Sequence, residues 1–175
     1  MLTNIFCDLD NTLLDFDGGE AHALSRALRQ FGVDPTPAVL DRYHAINLSQ
    51  WELLEALAPR YSLYLATNGA AAVQRRRLAD AGILPYFQNI FISEEVGFHK
   101  PSPAFFHACF AAIPGFDPAS ALMVGDSLTS DIRGGRDAGL RTCWLDRLGR
   151  SRRPDLLPDY TVTALNQLPA LLETL

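Results

Sequence analysis

Six short apolar runs limit what this chain can fold into: Asn4–Leu9, Tyr61–Thr67, Asn89–Ile92, Ala121–Gly125, Arg141–Leu145 and Tyr160–Val162. Each is long enough for a strand and too short for a helix. Strands apolar on both faces, separated by helix-length stretches, belong in a parallel sheet covered by helices on both sides, an α/β fold. The intervening stretches carry helix punctuation. Residues 70–81 end at Gly82, Ser102-Pro103 supplies an N-cap and a first-turn proline for 104–112, and residues 130–138 end at Gly139. Leu165, Leu168, Leu171, Leu172 and Leu175 form an apolar stripe that predicts an amphipathic closing helix over 164–175.

One interval breaks this rhythm. Between the first two runs the spacing predicts a helix over 20–31, a second up to 49, and a crossover helix over 51–57 that ends before Pro59. Residues 1–16 and 52–175 are therefore read as the core, and 17–51 as an inserted cap. Two helices of that size cannot bury a core of their own. The cap must lie on the main domain or pair with a second copy, so a homodimer through it is a partner reading.

Composition excludes several classes of function. A net charge of -5, with 48% hydrophobic and 20% charged residues, argues against nucleic acid or anionic membranes as partners. No apolar run approaches the roughly 18 residues of a membrane span, and the first residues have no signal-peptide pattern. Cys7, Cys109 and Cys143 sit in apolar runs without a CxxC pair, which predicts buried free thiols in a cytoplasmic protein.

In an open parallel sheet, ligands bind beyond the carboxyl ends of the strands. The chemistry-bearing residues fall there. Asp8 and Asp10 follow the first strand, Thr67-Asn68-Gly69 closes the second, Lys100 follows the third, and Gly125-Asp126 closes the fourth. Asp8 and Asp126 are suited to one Mg²⁺, a hard cation that prefers oxygen ligands at about 2.0–2.1 Å. Asp8 can then attack phosphorus in line and form an aspartyl-phosphate. Asp10 is placed to protonate the leaving oxygen and later activate water, a role worth roughly 10²–10⁴-fold. Thr67 and the N–H groups of Asn68 and Gly69 can hold phosphoryl oxygens, and Lys100 supplies positive charge locally. For Asp131 two compatible roles stay open: capping the helix that starts near Ile132, or holding Lys100 or a metal-bound water.

Asp8-Leu9-Asp10-Asn11-Thr12-Leu13, Thr67-Asn68-Gly69, Lys100-Pro101 and Gly125-Asp126-Ser127-Leu128-Thr129-Ser130-Asp131 resemble, in order, the four motifs of the haloacid dehalogenase superfamily. The resemblance implies a Rossmann-like core, an aspartyl-phosphate mechanism and Mg²⁺ held by Asp8, Asp10 and Asp126. Within that family Asp10 points to the phosphatases, since a departing halide needs no proton. Residues 91–101 and 123–145 look most like the bacterial pyrimidine 5′-nucleotidase branch, whose caps are about twice as long as residues 17–51.

The expectation is a phosphomonoester hydrolase acting on a small phosphorylated substrate, nucleoside 5′-monophosphates favoured. The rivals are a sugar-phosphate phosphatase or phosphomutase, and a catalytically weak binding module of the same fold. Other features take plainer readings. His99 is a loop histidine, Arg75-Arg76-Arg77 a solvated helix face, and Trp51, Tyr43 and Phe16 are core packing ahead of base stacking. Arg147, Arg150, Arg152 and Arg153 are read as a solvated loop ahead of a substrate contact.

Overall fold

The structure is a computed structural model that describes residues 1–14, 50–149 and 155–175. The expected cap lies outside the described residues except for Gln50 and Trp51, and so do Arg150, Arg152 and Arg153.

The described elements run β1 (Asn4–Cys7), α1 (50–57), β2 (Ser62–Thr67), α2 (Ala71–Asp80), β3 (Asn89–Ile92), a single turn α3 (Ser93–Val96), α4 (Pro103–Ala111) and β4 (Ala121–Gly125). A π-turn (Leu128–Ile132) then leads into α5 (Arg133–Asp137), followed by β5 (Arg141–Leu145), β6 (Tyr160–Val162) and α6 (Leu168–Leu172). All six expected strands are present, four of them with the expected bounds. The expected helix over 130–138 is divided into π-turn and α5, and the closing helix begins as a 3₁₀ turn at Leu165–Gln167.

The six strands form one parallel sheet in the order β3-β2-β1-β4-β5-β6. β1 is its central strand, with Asn4 opposite Ser62 on one side and Ala121 on the other. The chain builds outward from β1 through β2 to β3 and then returns to β1's other edge as β4. Loops on opposite sides of β1 therefore diverge and leave a crevice above its carboxyl end.

Strand periodicity divides the core into two layers. Ile5 and Cys7 of β1 face one, with Leu54, Leu57, Leu63, Leu65, Leu78 and Leu168. Phe6 faces the other, where it meets Tyr64, Phe91, Phe105, Phe106 and Met123. Phe6 stacks on Tyr64 with ring centroids 5.0 Å apart and is fully buried. The interiors of β1, β2 and β4 are apolar and buried because both faces are covered, the pattern that made these strands legible.

The helix ends follow local chemistry. Ser102 accepts from the N–H of Ala104, with Pro103 in the first turn of α4. The N-terminus of α2 has no cap of its own and is served from α3, where Glu94 accepts from the N–H of Ala71 at 2.8 Å. Gly82 and Gly139 take positive φ after their helices, as expected. No helix among the described residues is long and apolar enough to cross a membrane. All three cysteines are buried and free.

Candidate active site

Asp8 lies one residue beyond β1, its N–H still donating to Val124 of β4. The chain then turns sharply. Asn11 adopts a left-handed φ of 56°, a conformation asparagine tolerates better than most residues, and its N–H donates to the carbonyl of Leu14. The turn brings the buried Thr12 back against β4, where its hydroxyl accepts from the N–H of Asp126 at 3.1 Å. Arg147 donates to the carbonyl of Thr12 at 2.9 Å, so this arginine braces the loop after β1. Trp144 of β5 donates from its indole to the carbonyl of Asp126 at 2.9 Å.

Lys100 reaches the crevice from the far side of the sheet. Asn68 clamps its peptide, accepting from the Lys100 N–H at 2.8 Å and donating to its carbonyl at 3.0 Å. The Lys100 ammonium is bonded to Asp8 Oδ1 at 2.7 Å, Asp131 Oδ1 at 2.7 Å and the carbonyl of Ala66 at 2.6 Å. Lys100 is 3% exposed, Asp8 6% and Asp131 1%, so water contributes little to any of them. The other oxygen of Asp131 accepts from the N–H of Ser127 at 3.0 Å. Asp131 thus holds Lys100 and the loop after β4, whereas the turn itself is capped by Ser127, which accepts from the N–H of Ser130. Gly125 is required beneath it: a Cβ there would lie 2.3 Å from Asp131 Oδ2.

One oxygen from each of Asp8, Asp126 and Asp131 lies within 4.8 Å of the others. Lys100 bonds two of these three carboxylates, and the gathered carboxylate oxygens are donors suited to a hard cation. Burial is the largest influence on Asp8 and pushes its carboxyl up to about 7. Lys100 draws it down, and Asp131 adds to the rise. Burial likewise raises Asp131 against the pull of Lys100. Burial alone would lower Lys100, but Asp131 and Asp8 outweigh it and hold the ammonium charged. The rise in Asp8 despite its ammonium is therefore chiefly the cost of burying a carboxylate, to which Asp131 adds. Burial also pushes the Cys7 thiol up to about 12, so this neighbour of Asp8 is inert.

A cleft of about 180 Å³ opens over the cluster, lined by Asp8, Asp10, Asn68, Lys100, Asp126 and Asp131 together with Asn11, Ser127 and Ser130. Six of the expected site residues therefore share one wall. Thr67 and Gly69 do not line it. The fully buried Thr67 hydroxyl accepts from Gln74 at 3.0 Å, and the N–H of Gly69 donates to Ser93 at 3.0 Å. Asp10 lines the cleft, but its carboxylate stands apart from the three-carboxylate group. It accepts from Gln74 at 2.8 Å and pairs with Arg77.

Arg77 differs from the sequence expectation of a wholly solvated Arg75-Arg76-Arg77 face. Arg75 pairs with Glu95 on the surface and Arg76 with Asp80, whereas Arg77 turns inward to Asp10. Gln74 is also new to the site. Its signal in the sequence was a polar residue four positions before the buried Leu78, on the helix face that should be apolar. Trp51 is half-exposed, covers Gly82 and donates to the carbonyl of Ala81, a packing role.

A parallel α/β sheet with carboxylates and a buried lysine gathered at the carboxyl-end rim of its strands matches the fold of a known hydrolase family. The family model described as "haloacid dehalogenase-like hydrolase" matches residues 38–139, and the chain belongs to that family. The HAD-hydrolase YfnB of Bacillus subtilis is 36% identical over 152 residues, which cover 82% of this chain and 65% of that protein. The pyrimidine 5′-nucleotidase PynA of Streptococcus pneumoniae is 32% identical over 215 residues, covering 92% of this chain and 91% of the relative. The crystal structure of YfnB bound to magnesium superposes with a TM-score of 0.84 at 28% identity, spanning 98% of both chains.

Proposed function

We propose that this protein is a Mg²⁺-dependent phosphomonoester hydrolase that works through an aspartyl-phosphate on Asp8, with nucleoside 5′-monophosphates as the favoured substrates. The observation that carries the reading is the buried contact of Asp8 with Lys100 beside Asp126 and Asp131. A carboxylate is a weak nucleophile toward an anionic phosphoryl group unless charge is neutralised around both. Here Lys100 holds one oxygen of Asp8 and fixes its direction.

The cluster fits a hard divalent cation, because its donors are carboxylate oxygens within reach of one another. Asp8 and Asp126 would hold Mg²⁺, which supplies Lewis-acid stabilisation of phosphoryl oxygens. Both oxygens of Asp131 are engaged by Lys100 and Ser127, which suits it to orienting Lys100. Any ligation by Asp10 falls to its main-chain carbonyl, since its side chain is turned to α2.

Asp8 attacks phosphorus, the bond to the ester oxygen breaks, and that oxygen takes the proton of the Asp10 carboxyl. Asp10 then draws a proton from the water that cleaves the aspartyl-phosphate. The N–H of Asn68 carries a phosphoryl oxygen, and Lys100, whose three N–H groups are taken by Asp8, Asp131 and Ala66, supplies positive charge beside it. Thr67 and Gly69 support the loop in which Asn68 sits, so their sequence-based role as direct phosphate ligands would require Thr67 to leave Gln74 and Gly69 to leave Ser93.

Nucleotide preference draws support from the similarity to PynA, which is a pyrimidine 5′-nucleotidase. Other relatives carry the names phosphoserine phosphatase and N-acylneuraminate-9-phosphatase, so a phosphomonoester is the shared denominator. The buried free thiols accord with a cytoplasmic location.

The test is hydrolysis of 4-nitrophenyl phosphate with and without Mg²⁺, beside Asp8→Asn, followed by a panel of nucleotides and sugar phosphates. Mg²⁺-dependent turnover lost in Asp8→Asn is expected. Turnover that survives Asp8→Asn would sink the covalent mechanism, and a sugar phosphate preferred over every nucleotide would overturn the substrate assignment.

A further inference from the structure

We infer that Gln74 and Arg77, one helical turn apart on α2, are positioning residues for Asp10, and that Gln74 couples Asp10 to the Thr67–Asn68 segment. This rests on the proposed role of Asp10 as proton donor. Gln74 is 3% exposed, and a buried side-chain amide must find partners for its N–H groups. Its Nε2 has two N–H groups and three acceptors within reach, Asp10 Oδ2 at 2.8 Å, the Thr67 hydroxyl at 3.0 Å and the carbonyl of Asn68 at 3.1 Å, so two of the three share one hydrogen. Its Oε1 accepts from Arg77 Nη1 at 3.1 Å, and the same guanidinium nitrogen pairs with Asp10 Oδ1. The two α2 side chains thus grip both oxygens of one carboxyl and brace each other.

This grip fixes the direction in which Asp10 presents its carboxyl group, which proton transfer in either direction requires. Asp10 lies just past β1 at the start of a turn, and its side chain is about one-third exposed, so the loop alone leaves it free to swing. Donors on both oxygens fix the plane of the carboxyl group. Each oxygen has a second lone-pair direction, so an oxygen held by one N–H can still present a proton to the departing ester oxygen. Gly69 adds a steric element: a Cβ there would lie 3.0 Å from Gln74 Nε2, so the glycine admits the amide at full depth. A solvated face for Arg77 and a filler role for Gln74 would account for neither the shared carboxyl nor the burial.

The dependence on leaving group separates this role from structural support. The step that forms the aspartyl-phosphate needs a proton donor when the leaving oxygen is an alkoxide. It needs none when the leaving group is 2,4-dinitrophenolate, which departs as a stable anion. The experiment measures kcat/KM for uridine 5′-monophosphate and glycerol 3-phosphate, and for 2,4-dinitrophenyl phosphate, in wild type, Arg77→Met, Gln74→Glu and Asp10→Asn. Gln74→Glu keeps the shape and opens no cavity, but replaces the two amide N–H donors with a carboxyl group that offers at most one donor and, when ionised, repels Asp10. A ratio of two substrates on one preparation does not depend on how much of it is folded.

The alkyl-to-aryl ratio should fall about ten-fold or more in Arg77→Met and in Gln74→Glu, part of the roughly 10²–10⁴-fold available to an acid catalyst. It should fall further in Asp10→Asn. A fall in Asp10→Asn with an unchanged ratio in both α2 variants would overturn this inference and leave the phosphatase reading standing. An unchanged ratio in Asp10→Asn would remove the proton-donor role itself, and the inference with it.

Discussion

Replacing Lys100 with methionine probes the buried electrostatics of the site most directly. The lysine is 3% exposed and its ammonium makes three short contacts, to Asp8, Asp131 and the carbonyl of Ala66. Methionine keeps most of the volume and none of the charge, so two buried carboxyls lose their cation. Removing one partner of a buried ion pair costs about 3–5 kcal/mol, against a total of roughly 5–15 kcal/mol for a domain.

The cost should also depend on pH in a fixed direction. With Lys100 present, burial already holds the Asp8 carboxyl at about 7. Without the ammonium that pulls it down, the value rises further. An acid whose folded pKa exceeds its unfolded one keeps a proton that the unfolded chain has released, so stability falls as pH climbs between the two values. In the metal-free wild type the contribution from Asp8 levels off just above pH 7, around its folded pKa. In Lys100→Met the fall continues, at about 1.4 kcal/mol per pH unit for each carboxyl still protonated. Urea unfolding by circular dichroism, in chelator, at intervals from about pH 6 to about pH 8.5 measures the difference. It should widen above pH 7 and reach several kcal/mol. A difference that is flat with pH, or smaller than about 1 kcal/mol at the alkaline end, would refute the buried-charge account.

Three further outcomes are expected. Gly125→Ala drives a methyl into Asp131, so it should cost about 1–3 kcal/mol of overpacking and at least ten-fold in phosphatase kcat, read by thermal melts and steady-state kinetics. Mg²⁺ at about a hundred times its Kd should stabilise the protein by about 2.7 kcal/mol in calorimetry, and Asp126→Asn should abolish most of that gain; an equal gain in both proteins would remove Asp126 from the metal site. Ser102→Ala, which leaves the residues lining the cleft in place, should lose about 1 kcal/mol from the α4 N-cap in urea unfolding.

The elements legible in the chain were those whose physics is local. β3, β4, β5 and β6 have the bounds that their sequence runs imply, most plainly β4, which is buried from end to end and apolar throughout. The Ser102-Pro103 start of α4 could be read because a cap acts within its own turn. Division of 128–137 into π-turn and α5 could not. It accompanies Asp131 reaching both Lys100 and the Ser127 N–H, and neither partner is set by the helix sequence.

The gathering of Asp8, Asp10, Asn68, Lys100, Asp126 and Asp131 around one cleft was also legible, since parallel strands bring all their carboxyl ends to one rim. What each of those side chains touches was not. Arg77 looked like the third of three surface arginines, because nothing near it in the chain says where the loop after β1 will lie. Asp10 is 67 residues away in sequence and meets Arg77 only once β1 and β2 pair and α2 packs beside them.

The sequence by itself therefore determined the fold class and the family, because strand burial, helix caps and motif order are each written within a few residues. Only the tertiary structure decided how the charges are divided. It pairs Lys100 with Asp8 and Asp131, assigns Asp10 to Gln74 and Arg77, and turns Thr67 and Gly69 away from the cleft wall. The reason is physical: a buried charge takes whichever partner the packed chain brings within about 3 Å, and that proximity belongs to the whole fold and not to any stretch of it.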